Sequence, residues 1–341
     1  MIMKISVSII VPVYSGKDYL EELASRISGV KADWEEKSLP LEIHELIFVD
    51  DDSKDGSKDI LKNLASQTWI HVVTLSKNYG QHPATVAGIS YSSGDWVITM
   101  DEDLQHQPER ILDMFKVCVQ EESDILYVKS NTPVHKSYFR DLSSKYYKKV
   151  VEKLTGNKNI NNFNSFRLIR GSVARSAAAV IGHESYFDIV LSWFSDKVSI
   201  YNTNLEDRRY IETGKSGYNL RRLISHARRM LMTSDAKLLR GASYLGFSMF
   251  SLCIILSLYF VIKKLLLPES ILIQGWASQI VMLLMTISFV LIILGVIAEY
   301  LSILIQESNG KPPYSIVNRE KDVILKTFFE SNDHVPFKKE R

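Results

Sequence analysis

Ile43-His44-Glu45-Leu46-Ile47-Phe48-Val49-Asp50 runs into Asp51-Asp52-Ser53-Lys54-Asp55-Gly56, after which Ser57 opens a segment with apolar residues at Ile60, Leu61 and Leu64. An apolar run that ends in a carboxylate-rich turn and resumes with helical spacing predicts strand, turn and helix in succession, the helix capped by Asp55 or Ser57. The pattern recurs on both sides. Residues 6–13 read as a strand containing Pro12, and 72–75, 96–100 and 125–128 as three more, with helices fitting 83–92 and 108–119. Strands alternating with helices predict an α/β fold with a mostly parallel, Rossmann-like sheet covered on both faces. Such sheets take ligands beyond the carboxyl ends of their strands. The polar clusters fall at those ends: Tyr14, Asp50 to Asp52, Lys77 to His82, and Asp101 to Gln105.

The 341 residues are 46% hydrophobic and 23% charged, which excludes a disordered chain. Balanced charge, 41 basic against 39 acidic residues, argues against a dedicated nucleic-acid binder. Two cysteines, Cys118 and Cys253, cannot build a disulfide framework or a cysteine-rich metal site. Residues 241–262 and 270–298 carry no charge, and each exceeds the roughly 20 residues that cross a bilayer core. Two membrane spans are therefore predicted, at about 241–262 and 276–298. Basic residues crowd the flanks, from Arg208 to Arg240 and from Lys311 to Lys326, while only Lys263 and Lys264 lie between the spans. The positive-inside rule then places both flanks in the cytoplasm, and the N-terminus has no signal-peptide pattern. The expected organisation is a cytoplasmic catalytic domain over 1–217, a basic amphipathic juxtamembrane segment over 218–240, a two-helix membrane region over 241–305 and a cytoplasmic tail over 306–341. Residues 137–154 and 218–239 mix apolar and basic residues as helices lying in a headgroup region do.

Asp101-Glu102-Asp103 follows an almost uncharged strand. In an extended segment, residues two apart share a side, so Asp101 and Asp103 can present oxygen ligands to one Mg²⁺ or Mn²⁺ while Glu102 faces elsewhere, and Gln105 can add a carbonyl oxygen. Such a cation would neutralise a substrate diphosphate. A solvated acidic turn fits those residues alone equally well. His106 is expected to be a solvated loop residue and His82 a structural residue at a helix start.

Several stretches together carry a resemblance: Ile10 to Tyr14, Phe48 to Gly56, Lys77 to His82, Gly94-Asp95, Asp101 to Gln105, Ser165 to Leu168, Gly214 to Tyr218, Gly295 to Tyr300, and Lys311 to Tyr314. In order and spacing the chain resembles the family-2 glycosyltransferases of the GT-A fold, and within them the membrane-anchored polyprenyl-phosphate sugar transferases such as dolichol-phosphate mannose synthase and bacterial undecaprenyl-phosphate glucose and aminoarabinose transferases. The resemblance implies that Pro12, Tyr14, Asp50 and Asp51 contact the base and ribose of a nucleotide-sugar, with Asp101, Asp103 and Gln105 around the metal. It also has departures. Ser15-Gly16 stands where the family usually has Asn-Glu, and Asp52 replaces a usual glycine.

Ser165 occupies the place where some relatives carry an aspartate general base. A serine cannot serve as a base unaided. A lipid monophosphate with a second pKa of about 6 needs none at neutral pH. The expected reaction is therefore inverting sugar transfer to a polyprenyl phosphate, such as undecaprenyl phosphate, at the cytoplasmic membrane face, for a cell-envelope glycan or lipid. Arg167 is the expected catalytic cation beside Asp103; Lys129, Arg140 and Arg209, with Ser165, are candidate acceptor contacts. Transfer to a hydroxyl of a membrane-linked oligosaccharide, and an inactive membrane scaffold or flippase partner, remain alternatives, and the oligomeric state is left open. The absence of a Gln-x-x-Arg-Trp motif argues against a processive synthase.

Overall fold

The computed structural model describes residues 4–130, 158–183, 185–203 and 276–318, with isolated helical positions at 152, between 229 and 266, and at 322, 324 and 327. Strand β1 (Ile5–Val13) is followed by α1 (Leu20–Glu36), β2 (Leu41–Asp50), α2 (Ser57–Leu64), β3 (Ile70–Thr74), α3 (Gln81–Tyr91) and β4 (Trp96–Thr99). A 3-10 turn at Pro108–Arg110 leads into α4 (Ile111–Gln120) and β5 (Ile125–Ser130). Then come β6 (Arg167–Arg170), α5 (Gly171–Val180), α6 (Phe187–Leu191), β7 (Val198–Thr203) and the long α7 (Trp276–Ser308). One seven-stranded sheet has the order β3-β2-β1-β4-β6-β5-β7. All pairings are parallel except those of β6 with β4 and β5.

The mostly parallel sheet is as expected, with one antiparallel strand inserted at its middle. That strand follows residues rich in asparagine and lysine, so no apolar run announced it. Helix α1 is a further element beyond the predicted ones, although Leu20, Leu23, Ala24, Ile27, Val30 and Trp34 form its buried stripe at helical spacing.

β1 decides the layering. Val7, Ile9, Val11 and Val13 pack into a core with α1 and α4, while Ile10 joins α3, α5 and α6 in a second core on the opposite face. A strand buried on both faces reads as a continuous apolar run, as this one does. Helix α3 crosses β1 closely enough that a Cβ on Gly88 would collide with Ile10 and Val49 side chains.

Among the described residues one helical stretch is long and apolar enough to cross a membrane, Met285–Ser308, with mean hydropathy 2.4 and nothing buried against protein. The helix that contains it, Trp276–Ser308, also contains the residues expected for the second span, 276–298, and continues past Glu299 because one carboxylate does not interrupt backbone pairing. The first span at 241–262 and the juxtamembrane segment 218–240 lie largely outside the described residues.

The chain returns from α7 to the sheet. Leu75 and Ile316 form an antiparallel bridge, with Ser76 N–H donating to Ser315 O at 2.8 Å and Val317 N–H to Thr74 O at 2.9 Å. Tyr314 and Ile316 pack on the second core, and Tyr314 Oη donates to Ser90 Oγ at 3.0 Å. Residues 314–317 thus cover the β3 edge instead of trailing free, which also protects an open edge. Ile316→Ser is expected to lower the unfolding free energy by about 1–2 kcal/mol, read as a fall in melting temperature of the full chain in detergent. An unchanged melting temperature would remove this segment from the fold's support.

Candidate active site

Three strand ends and one helix start meet in a cleft of about 210 Å³ lined by Pro12, Val13, Tyr14, Asp51, Gln81, Asp101, Glu102 and Asp103. Pro12 and Tyr14 end β1, Asp51 follows β2, Gln81 opens α3 and the acidic triplet follows β4. Parallel pairing of β1 with both β2 and β4 puts these ends on one edge. Tyr14 is 47% exposed, so its ring is available to a ligand.

Asp50 and Asp51 separate. Asp51 lines the cleft and accepts N–H groups of Tyr79 and Gly80 at 2.7 and 2.8 Å. Burial pushes its carboxyl above the ordinary value, opposed by those two donors. Asp50 is buried and accepts Ser53 N–H at 2.9 Å, so it closes the turn and does not line the cleft as the resemblance implied. Successive strand residues point to opposite sides, which explains the split. Asp52 sits at φ 56°, the left-handed conformation for which glycine is usual. Lys54 and Lys58 hold its carboxylate and depress its pKa to about 2.

The acidic triplet is a turn, with Leu104 at φ 62°, and not the extended segment predicted. Asp101 and Asp103 still reach the cleft together. Gln81 Nε2 donates to Asp101 Oδ1, and Ser165 Oγ donates to Asp101 Oδ2 at 2.8 Å. Asp103 is held by the Gln105 side-chain amide at 2.9 Å and by Gln105 N–H at 3.3 Å. Glu102 does not face elsewhere: its carboxylate accepts the N–H groups of Tyr14 and Ser15.

His106 is not solvated. It is 4% exposed, stacks on Phe166 at 4.7 Å, and accepts Asp101 N–H on Nδ1 at 2.9 Å. That bond places the proton of the neutral ring on Nε2, 3.9 Å from Asp101 Oδ2. His82, in the first turn of α3, lies against the Tyr186 ring, in keeping with a structural role. Gln81 and Glu102 both lie within the sequence motifs and both line the cleft, and for Glu102 the glycine at position 16 opposite it is a signal in the sequence.

Arg167 departs furthest from expectation. It is 2% exposed, is ion-paired through Nη1 to Asp188 Oδ1, and stands over the Phe187 ring. Tyr127 Oη also donates to Asp188 Oδ1, at 3.1 Å. The register puts Arg167 opposite Tyr127, so it belongs to the second core and does not line the cleft. Burial raises the Asp188 carboxyl against the pull of the guanidinium, and raises Tyr127 well above the usual phenol value. Lys129 is exposed, with Nζ 3.4 Å from Asn162 Oδ1, outside the cleft lining. Arg140 and Arg209 lie outside the described residues.

An exposed aromatic, a buried aspartate and a pair of carboxylates thus share one edge of a mostly parallel sheet. Residues 8–177 match the family described as glycosyl transferase family 2, and over that span the chain belongs to it. The chain is 29% identical to an uncharacterized glycosyltransferase of Synechocystis, over 92% of this chain and 95% of that one. It is 28% identical to the undecaprenyl-phosphate 4-deoxy-4-formamido-L-arabinose transferase of Pseudomonas fluorescens, over 91% and 88%. Among solved structures it is similar to Mycobacterium tuberculosis glucosyl-3-phosphoglycerate synthase, with 13% identity, 67% and 79% coverage and a TM-score of 0.46.

Because Arg167 neutralises a buried carboxylate, Arg167→Ala is expected to destabilise the protein by about 3–5 kcal/mol, read as lost melting temperature. A stable Arg167→Ala protein deficient only in turnover would return this residue to the catalytic role.

Proposed function

We propose that the chain transfers a sugar from a nucleotide-diphosphate sugar to a polyprenyl phosphate, such as undecaprenyl phosphate, with inversion, at the cytoplasmic face of a membrane. The observation that carries this reading is the cleft that gathers Tyr14, Asp51, Asp101 and Asp103 at one sheet edge. The aminoarabinose transferase relative aligns well beyond the family domain, which supports a lipid-phosphate acceptor, and the apolar stretch Met285–Ser308 supports membrane attachment.

In this reading Tyr14 stacks on the donor base and Asp51, held by the Tyr79 and Gly80 N–H groups, accepts from the nucleoside. Asp101 and Asp103 would hold Mg²⁺ or Mn²⁺. The donor set fits a hard cation: two carboxylates, each oriented by side-chain donors, reach one cleft. Among the described residues no group of three or more His, Cys, Asp or Glu could hold an ion, and Mg²⁺ is commonly held by one or two carboxylates together with substrate phosphates, which the donor diphosphate would supply. When bound, the cation supplies charge neutralisation to the departing diphosphate.

The acceptor phosphate oxygen forms the new bond to the anomeric carbon as the bond to the nucleoside diphosphate breaks. Ser165 takes no proton in this step, because a neutral hydroxyl is too weak a base; it donates to Asp101. An acceptor that is anionic without help suits that arrangement.

Membranes containing the chain, given labelled nucleotide-sugars and undecaprenyl phosphate, are expected to yield a lipid-extractable product labile to mild acid. An acid-stable product would indicate a hydroxyl acceptor, and no product from any donor would overturn the reading. Asp101→Asn and Asp103→Asn should each lower turnover at least about 100-fold in folded protein, whereas Ser165→Ala should cost less than about tenfold, short of losing a general base. Rate should rise with pH as the acceptor loses its second proton near about pH 6 and then plateau; an acid limb that does not move when the acceptor's phosphate pKa is changed would count against the anionic nucleophile.

A further inference from the structure

The turn after β1 and the turn after β4 form facing walls of the cleft, and one side chain ties them together. Glu102 Oε2 accepts Tyr14 N–H at 3.0 Å, and Oε1 accepts Ser15 N–H at 3.1 Å. Both are bonds to a carboxylate, which are stronger than bonds between neutral groups. Gly16 completes the arrangement. A Cβ there would lie 2.5 Å from Glu102 Oε2 and 3.1 Å from its carboxyl carbon, with Leu20 Cγ next at 3.2 Å. Gly16 is not among the glycines with positive φ, so the neighbouring carboxylate, and not the backbone, excludes a side chain. Positions 16 and 102 therefore compete for one volume.

We propose that Glu102 is a positioning residue for donor binding. Its carboxylate enters from the acidic turn, fills the space left by Gly16, and fixes the Tyr14 wall relative to Asp101 and Asp103. The inference rests on the donor-cleft reading above. It makes the base-facing wall and the cation-facing wall one unit: a change at position 16 acts on the nucleotide only through Glu102.

The test is a double-mutant cycle read by calorimetric titration of the full chain in detergent with UDP and with GDP, each with Mg²⁺. Wild type should bind at least one of them; binding of neither overturns the donor-cleft reading, and this inference with it. Glu102→Ala should raise Kd about tenfold or more at unchanged stoichiometry, since two N–H groups lose their acceptor. Glu102→Gln, which keeps one accepting oxygen, should fall between. Gly16→Ala alone should also weaken binding because its methyl displaces the carboxylate, yet it should add nothing in the Glu102→Ala background. Multiplying penalties, or a harmless Gly16→Ala, would overturn the proposal. So would reduced stoichiometry at unchanged Kd, the result of a residue needed only for folding.

Discussion

The central strand β1 is hydrogen-bonded in parallel to a neighbour on each side and buried on both faces, and the rest of the arrangement follows from that constraint. Polar side chains along most of its length would need buried partners. Ser8 meets that condition by donating to the buried Glu45 at 2.7 Å. The strand can offer polar chemistry to solvent only where it ends, and parallel neighbours end on the same side. Pro12 and Tyr14, Asp51 and the acidic triplet are therefore brought together by the direction of three strands.

The cleft concentrates carboxylates, and the chain orients each with its own donors: backbone N–H groups for Asp51 and Glu102, side chains of Gln81 and Ser165 for Asp101, and Gln105 for Asp103. Such donors stabilise the charged forms and lock the rotamers before any ligand arrives. They do not remove the negative charge. Under the proposed donor binding, a diphosphate entering a cleft walled by Asp51, Asp101, Glu102 and Asp103 would need a cation between, which is the physical argument for Mg²⁺ or Mn²⁺ in that proposal. Arg167 does not line this cleft; its guanidinium is paired with Asp188 within the core.

The return of residues 314–317 to the β3 edge connects the long apolar helix to the site through few covalent steps. Beyond Leu75, Ser76 and Tyr79 share a hydroxyl contact of 3.1 Å, and the N–H of Tyr79 holds Asp51. The same strand edge that receives the segment after the helix thus leads into the turn that orients a cleft-lining carboxylate. A segment pinned at both ends is stiffer than a free tail of the same length, so residues 314–317 limit how far the end of the helix can move relative to the β3 edge.

The sequence by itself determined the strand-and-helix alternation, the parallel sheet and the strand ends that carry the polar clusters, because apolar runs and turn residues are local signals. The family resemblance of its motifs also groups Asp101, Asp103, Tyr14 and Asp51, and the fold gathers these four in one cleft. Tertiary structure alone decided where each neighbouring group points. Asp50 and Asp51 are adjacent in sequence yet serve a turn and a cleft; Arg167 faces a core because β6 runs antiparallel beside Tyr127; His106 is buried because Phe166, sixty residues on, supplies a ring to stack against. The partners of these side chains lie far along the chain, and a one-dimensional pattern holds no record of which of two faces a residue meets. Glu102 and Gly16 show the same limit: their competition for one volume exists only once β1 and β4 are paired.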